Sequence, residues 1–319
     1  TPSQSQEDGA EDTTPASTGE WPGGRFLPPP DPREGADGTK RYEGVTYAAP
    51  EGYRPLQLDV WVPASATPPP LVVWIHGGAW LFGDRRYLPE TLRPNQLFEE
   101  LTNAGLAVAT IDYRHAREAQ FPAQLHDAKA AIRYLRAYAD VLGVDTSRIG
   151  VWGESAGGHL AALLALTAQR PELEGTLGVL DESSAVDAVV DWYGPADLTM
   201  PPPPNSVAQP PPGLLPAPHD ILVGGQDQNA YAAASPISYV TPAAPPFLLV
   251  HGTADTIVRY LHSEVLAQAL TEAGVPVRLV PVEGADHIFN GHDDIDGVVR
   301  LSVDYFAEAL LPVRPAPSS

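Results

Sequence analysis

The chain has 319 residues, 43% of them hydrophobic, with 40 acidic against 19 basic side chains and a formal net charge of −21. That length suits one large α/β domain or two small ones and is enough to bury a core, while the negative balance makes nucleic acid and anionic membrane surfaces poor partners. There is no cysteine, which removes disulfides, thiolate catalysis and cysteine-ligated zinc, and no apolar run approaches the roughly 20 residues of a spanning helix.

Residues 1–40 are rich in Pro, Gly, Ser, Thr, Glu and Asp. Such a segment cannot bury enough surface to offset its ordering entropy, so a loose N-terminal tail is expected. Trp21, Phe26 and Leu27 are its candidates for local docking. The chain opens Thr1-Pro-Ser-Gln-Ser-Gln6 without an initiator methionine, which reads as a trimmed start and leads us to expect a secreted or exported protein. A single folded domain is expected over residues 41–319. Its first strands, 43–47 and 56–62, alternate apolar and polar residues as half-buried strands do. Residues 71–75, 106–111, 149–152, 188–190 and 247–250 are continuous apolar runs, the pattern of strands covered on both faces. Residues 277–282 form a further strand candidate, interrupted by Pro281. Amphipathic helical patterns lie between them at 124–138, 261–273 and 298–311. Strands alternating with helices predict an α/β fold, a mostly parallel central sheet with helices on both faces. Ligands of such sheets bind beyond the carboxyl ends of the strands.

Four of those strand ends carry chemistry. After the run 149–152 comes Gly153-Glu-Ser155-Ala-Gly157, followed by an Ala/Leu-rich helix to about residue 168. A G-x-S-x-G on a sharp strand-to-helix turn holds a serine hydroxyl clear of the sheet. Gly153 and Gly157 are required because a side chain at either would strike the neighbouring element. After the run 71–75 comes His76-Gly-Gly-Ala-Trp80. Small residues let main-chain N–H groups approach a developing oxyanion, so the amides of Gly78, Ala79 and Ala156 are the candidate donors. His76 is expected to brace this loop and Trp80 to wall the pocket, with plain core packing the other reading of Trp80. After 247–250 comes His251-Gly-Thr-Ala-Asp255, and after 277–282 comes Glu283-Gly-Ala-Asp286-His287. Serine is a poor nucleophile until an imidazole takes its proton and a carboxylate holds that imidazole in one tautomer. Ser155, Asp255 and His287 stand in the order those roles require. Asp286 is expected to be a solvated loop acid, His251 to pack beneath its loop and His159 to be structural. His115, His126, His219 and His262 lack a strand-end position. No metal site or cofactor is called for.

The chain resembles the α/β-hydrolase esterases related to hormone-sensitive lipase and, more narrowly, bacterial feruloyl/acetyl-xylan esterase-like proteins. The resemblance rests on His76-Gly-Gly-Ala-Trp80, Asp112-Tyr-Arg114, Phe121-Pro-Ala-Gln124 leading into Asp127, Gly153-Glu-Ser-Ala-Gly-Gly-His159, Ala234-Ser-Pro236 and His251-Gly-Thr-Ala-Asp255. It covers roughly residues 42–311 and implies an α/β-hydrolase fold, Ser155, Asp255 and His287 as the triad, and Gly78, Ala79 and Ala156 as the oxyanion hole. Ala79 stands where lipase-like relatives carry a third glycine, and Ala285-Asp-His287 replaces a pattern in which a glycine commonly precedes the histidine.

The expected activity is hydrolysis of short-chain or aryl carboxylic esters, small or polymer-borne, through an acyl-enzyme on Ser155. An arylformamidase-like amidase or peptidase, or a catalytically silent ligand-binding homologue, would use the same fold. Residues 195–234, with Met200-Pro-Pro-Pro-Pro204 and Pro210-Pro-Pro212, cannot form one long helix and are expected to cover the pocket. Trp192 and Tyr193, just before them, are expected to meet the acyl or aryl group. Nothing in the sequence signals an oligomeric state.

Overall fold

The continuous apolar runs form the inner strands of one sheet in the computed structural model, which describes residues 25–203 and 216–312. Trp21 and Pro210-Pro-Pro212 lie outside the described residues. The strands are β1 (Arg33–Glu34), β2 (Lys40–Ala48), β3 (Leu56–Val62), β4 (Pro70–Ile75), β5 (Ala107–Ile111), β6 (Asp145–Glu154), β7 (Ala188–Trp192), β8 (Phe247–Gly252) and β9 (Val277–Val282). Their order across the sheet is β1-β2-β3-β5-β4-β6-β7-β8-β9. Pairing is antiparallel from β1 through β3 to β5 and parallel from β5 to β9. Every residue of β4, β5 and β7 is buried, as strands with helices on both faces should be. Strand β9 pairs only with β8, and its Pro281 is exposed. An edge strand tolerates a proline because an outward N–H has no ladder partner to lose.

The helices are α1 (Gln96–Asn103), α2 (Ala123–Ala137), α3 (Ala139–Leu142), α4 (Ala156–Leu166), α5 (Pro218–Val223), α6 (Gln228–Ala233), α7 (Leu261–Glu272) and α8 (Ile295–Leu310). No described helix is long and apolar enough to cross a membrane. On one face α2, α4 and α7 bury Leu125, Leu160, Leu164 and Leu266 against alternate strand residues such as Val73 and Val151. On the other, α1 and α8 cover Trp74, Trp152 and Trp192 together with Phe98 and Phe306. Helix α4 is buried along its whole length, which accounts for its Ala/Leu composition.

The structure adds detail to two expectations. Part of the expected tail is docked: β1 pairs with β2, and Phe26 packs edge-on against Tyr134 and Tyr138 at 6.3 and 6.4 Å between ring centres. The Pro-rich insertion carries α5 and α6. It is anchored where the Phe121 amide donates to Leu222 O at 2.8 Å and the Leu198 amide to Ser235 Oγ at 2.8 Å. The Asp112-Tyr-Arg114 motif is a brace. Arg85 Nη1 bonds Asp112 at 3.1 Å, and Arg114 Nη2 bonds the buried Asp127 at 2.7 Å.

Candidate active site

Strand β6 runs into helix α4 through one residue, Ser155, whose backbone is forced to φ 53°, ψ −119°. A non-glycine residue holds positive φ only when its surroundings over-determine it. Here a Cβ on Gly153 would lie 2.1 Å from Gly157 O, and one on Gly157 would lie 2.0 Å from Ile75 O. Bare main chain on both sides lets α4 start directly against β4 and β6. The Ser155 amide donates to Trp192 O at 2.8 Å, and the hydroxyl faces the pocket.

Asp255 and His287 reach Ser155 from the ends of β8 and β9. Ser155 Oγ lies 3.1 Å from His287 Nε2, and His287 Nδ1 lies 2.8 Å from Asp255 Oδ2. The other Asp255 oxygen accepts the amides of Ile257 and Val258, each at 2.8 Å. His251 sits fully buried beneath the loop, as expected. Its Nδ1 accepts from Ser263 Oγ at 2.7 Å, so Nε2 carries the proton and donates to Val258 O at 2.9 Å, 3.3 Å from Asp255 Oδ2. Burial acts to raise the Asp255 carboxyl, but hydrogen bonds from His251 and His287 outweigh it and hold the group well below the usual carboxylate range. Asp255 is therefore a fixed anion held between two imidazole nitrogens, His287 Nδ1 and His251 Nε2.

Asp286 is a partly exposed loop acid, as expected, but it is also a bridge. It accepts from the Thr256 amide and hydroxyl, both at 2.8 Å, and from the His287 amide at 2.7 Å. Burial would raise its carboxyl, yet the Thr256 and His287 amide bonds leave it lowered. One side chain thus ties the acid-bearing loop to the histidine-bearing loop.

The loop after β4 holds three successive positive φ values: 106° at Gly78, 52° at Ala79 and 60° at Trp80. The amides of Gly78, Ala79 and Ala156 have no acceptor among the described residues. The neighbouring Gly77 amide is used differently, donating to Glu154 Oε1 at 2.6 Å. His76 braces the loop: Nδ1 donates to Gly77 O at 2.7 Å and the ring stacks on Tyr113 at 4.4 Å. Burial lowers the His76 imidazole to about 4 and raises the Glu154 carboxyl to about 7. Trp80 lines the pocket, and its indole donates to His159 Nδ1 at 3.2 Å, while His159 Nε2 donates to Ala234 O at 2.7 Å. His159 therefore fixes Trp80 and joins it to the end of the insertion. The sequence signalled Glu154 and His159 only as motif members.

The pocket over Ser155 has a volume of about 90 Å³. Ala156 and Val258 line it together with Leu198, Met200, Pro202 and Pro218 of the insertion. Trp192 and Tyr193 do not line it. Side chains alternate along β7, which extends as far as Trp192, so Trp192 falls on the α8 face, where its indole donates to Ser302 Oγ at 2.9 Å. Tyr193 is buried under the relay instead, its ring 4.9 Å from that of His287 and 4.8 Å from Phe289.

A serine on the β6–α4 turn, with an acid and a histidine arriving from β8 and β9 of a largely parallel sheet, is the arrangement of the α/β-hydrolase fold. Residues 58–270 match the BD-FAE family, and the chain belongs to it. Esterase LipC of Mycobacterium tuberculosis is 32% identical over 288 residues, covering 87% of this chain and 66% of LipC. Among solved structures, a truncated carbohydrate esterase from gut microbiota has a TM-score of 0.73 at 29% identity, covering 88% of this chain and 99% of that one. The propionate-bound esterase Est2 of Thermogutta terrifontis has a TM-score of 0.68 at 27% identity, covering 85% and 96%. The chain spans just under two thirds of LipC and 59% of esterase LipQ from the same bacterium.

Proposed function

We propose that this protein is a serine carboxylic-ester hydrolase that takes short acyl groups and works through an acyl-enzyme on Ser155. The observation that carries the reading is the unbroken chain from Ser155 Oγ to His287 Nε2 at 3.1 Å and from His287 Nδ1 to Asp255 at 2.8 Å. Ser155 attacks the ester carbonyl carbon as its proton passes to His287. The oxyanion is received by the Gly78, Ala79 and Ala156 amides, each contributing about 3 kcal/mol to the transition state. The carbon–oxygen bond to the alcohol then breaks as His287 returns the proton to the leaving oxygen. Water, giving its proton to the same imidazole, cleaves the acyl-serine and restores the hydroxyl. A neutral imidazole is needed at the outset, so turnover falls on acidification.

The pocket gives the substrate its sides. His287 must stand beside the leaving oxygen, and it is absent from the pocket lining. The pocket is therefore the place of the acyl group. At about 90 Å³ it is smaller than the about 150 Å³ cavity that houses benzene, which favours a short acyl chain and leaves an aryl group to the alcohol side. Phe82, 56% exposed beside Gly78, offers an apolar rest there. The likeness to a carbohydrate esterase and to a propionate-bound esterase supports the same reading. Ser155→Ala should lower p-nitrophenyl acetate turnover by at least about a thousandfold with an unchanged circular dichroism spectrum. Turnover retained within tenfold would remove Ser155 from the nucleophile's role.

A further inference from the structure

Besides Ser155, the acyl pocket has polar lining at His219, whose Nε2 lies 3.5 Å from Asp220, and at one corner where His262 and Asp197 meet. His262 is 94% buried by its 6% exposure and lines the pocket. Its Nδ1 accepts the Asp197 amide at 3.3 Å, so the proton sits on Nε2. That N–H finds no acceptor among the described residues. Burial lowers the imidazole to about 4, which keeps it neutral and keeps the proton on Nε2 at ordinary pH. Asp197 lines the same pocket. Its Oδ1 is taken by the Thr199 amide and hydroxyl at 2.9 and 2.6 Å, and its Oδ2 meets no donor among the described residues. His262 has no role assigned by sequence reading. It stands in the first turn of α7, just past the loop that carries Asp255, and the fold turns it toward the space beside Ser155.

The Nε2–H opens into the pocket, and a pocket with a few convergent polar groups on apolar walls is the form of a ligand-orienting site. A donor and a carboxylate oxygen lining one pocket match one group in particular. A hydroxyl accepts from N–H and donates to the carboxylate. A ketone satisfies only the first, and a second carboxylate is repelled by Asp197. We infer that the acyl pocket selects short acyl chains bearing a hydroxyl, which receives the His262 Nε2–H and donates to Asp197. This inference rests on the esterase reading above and adds the substrate's acyl class to it.

The test compares ethyl 3-hydroxybutyrate with ethyl butyrate on the wild-type chain, each kcat/KM divided by the ester's rate with hydroxide. In a pocket with apolar walls alone, the hydroxy ester loses, because its hydroxyl gives up water without replacement. With the His262–Asp197 corner, it should win by about five- to tenfold. Ethyl 3-oxobutyrate should gain less, and a singly esterified succinate should fall below butyrate. The His262→Leu protein should bring the hydroxy-to-plain ratio to one or below. A wild-type ratio of one or less, or a His262→Leu ratio equal to that of wild type, would overturn the inference while leaving the esterase intact. If neither ester is turned over, the esterase reading falls and this inference falls with it. Should His262→Leu fail to fold, the wild-type ratio alone decides.

Discussion

Ser155 and the oxyanion loop sit where main chain touches main chain, whereas Asp255 and His287 hang from two loops joined by side-chain bonds. On the first side, Gly153 and Gly157 leave no room for a methyl group, and Gly77 lies flush against Glu154. On the second, Asp286 and Thr256 hold the loops together in a setting that is partly open to solvent. A part fixed by contact between backbones tolerates no change of volume. A part fixed by hydrogen bonds can weaken by degrees. The nucleophile should therefore fail abruptly under substitution and the proton relay gradually.

Gly157→Ala offers the sharpest break. Its added carbon would lie 2.0 Å from Ile75 O, a backbone atom in a central strand. We expect a loss of about 3 kcal/mol or more in urea denaturation, with activity lost alongside. An alanine accepted within 1 kcal/mol would contradict the steric account of the turn.

Glu154→Gln tests the charge under the oxyanion loop. Burial raises this carboxyl from 4.5 to about 7. Between those values the folded chain holds a proton that the unfolded chain has released, so wild-type stability falls as pH rises through the window. Glutamine keeps an acceptor for the Gly77 amide and removes the titration. The stability of wild type relative to Glu154→Gln should decline by on the order of 2 kcal/mol from pH 4.5 to pH 7.5. A flat difference in paired melting curves would show that Glu154 is not buried in the manner described.

Asp286→Ala should have the smallest effect. It removes the tie between the loops yet leaves Ser155, His287 and Asp255 chemically intact. We expect kcat to fall about fivefold, roughly 1 kcal/mol, with little change in KM, and Thr256→Val to reproduce part of the loss. A thousandfold fall would mean that the relay is as brittle as the nucleophile, and the contrast between the two sides would disappear.

Much of this was legible in the sequence for a specific reason. Strands buried on both faces are continuous apolar runs, so β4, β5, β6, β7 and β8 announced themselves. The reactive residues follow strand ends, so Ser155, Asp255 and His287 could be aligned without coordinates. What could not be read depends on which way a side chain faces. Trp192 was placed at the pocket because it comes at a strand's end, but β7 runs one alternation further and turns it to the opposite face. The bridge made by Asp286 was hidden because its partner, Thr256, lies thirty residues away on another loop. His262 looked idle because nothing local says that the start of α7 approaches Ser155. Helix α1 carries polar residues through much of its length, and the short helices α5 and α6 follow a proline-rich stretch. These helices run eight, six and six residues, too short for a sustained period to read.

The most direct measurement is the mass of the protein quenched in acid within the first turnover of p-nitrophenyl acetate, followed by peptide mapping. The proposed mechanism predicts one acetyl group per chain, on the peptide containing Ser155, and none on the Ser155→Ala protein. An acetyl group on any other residue, or rapid turnover with no acetylated protein at any time point, would contradict it.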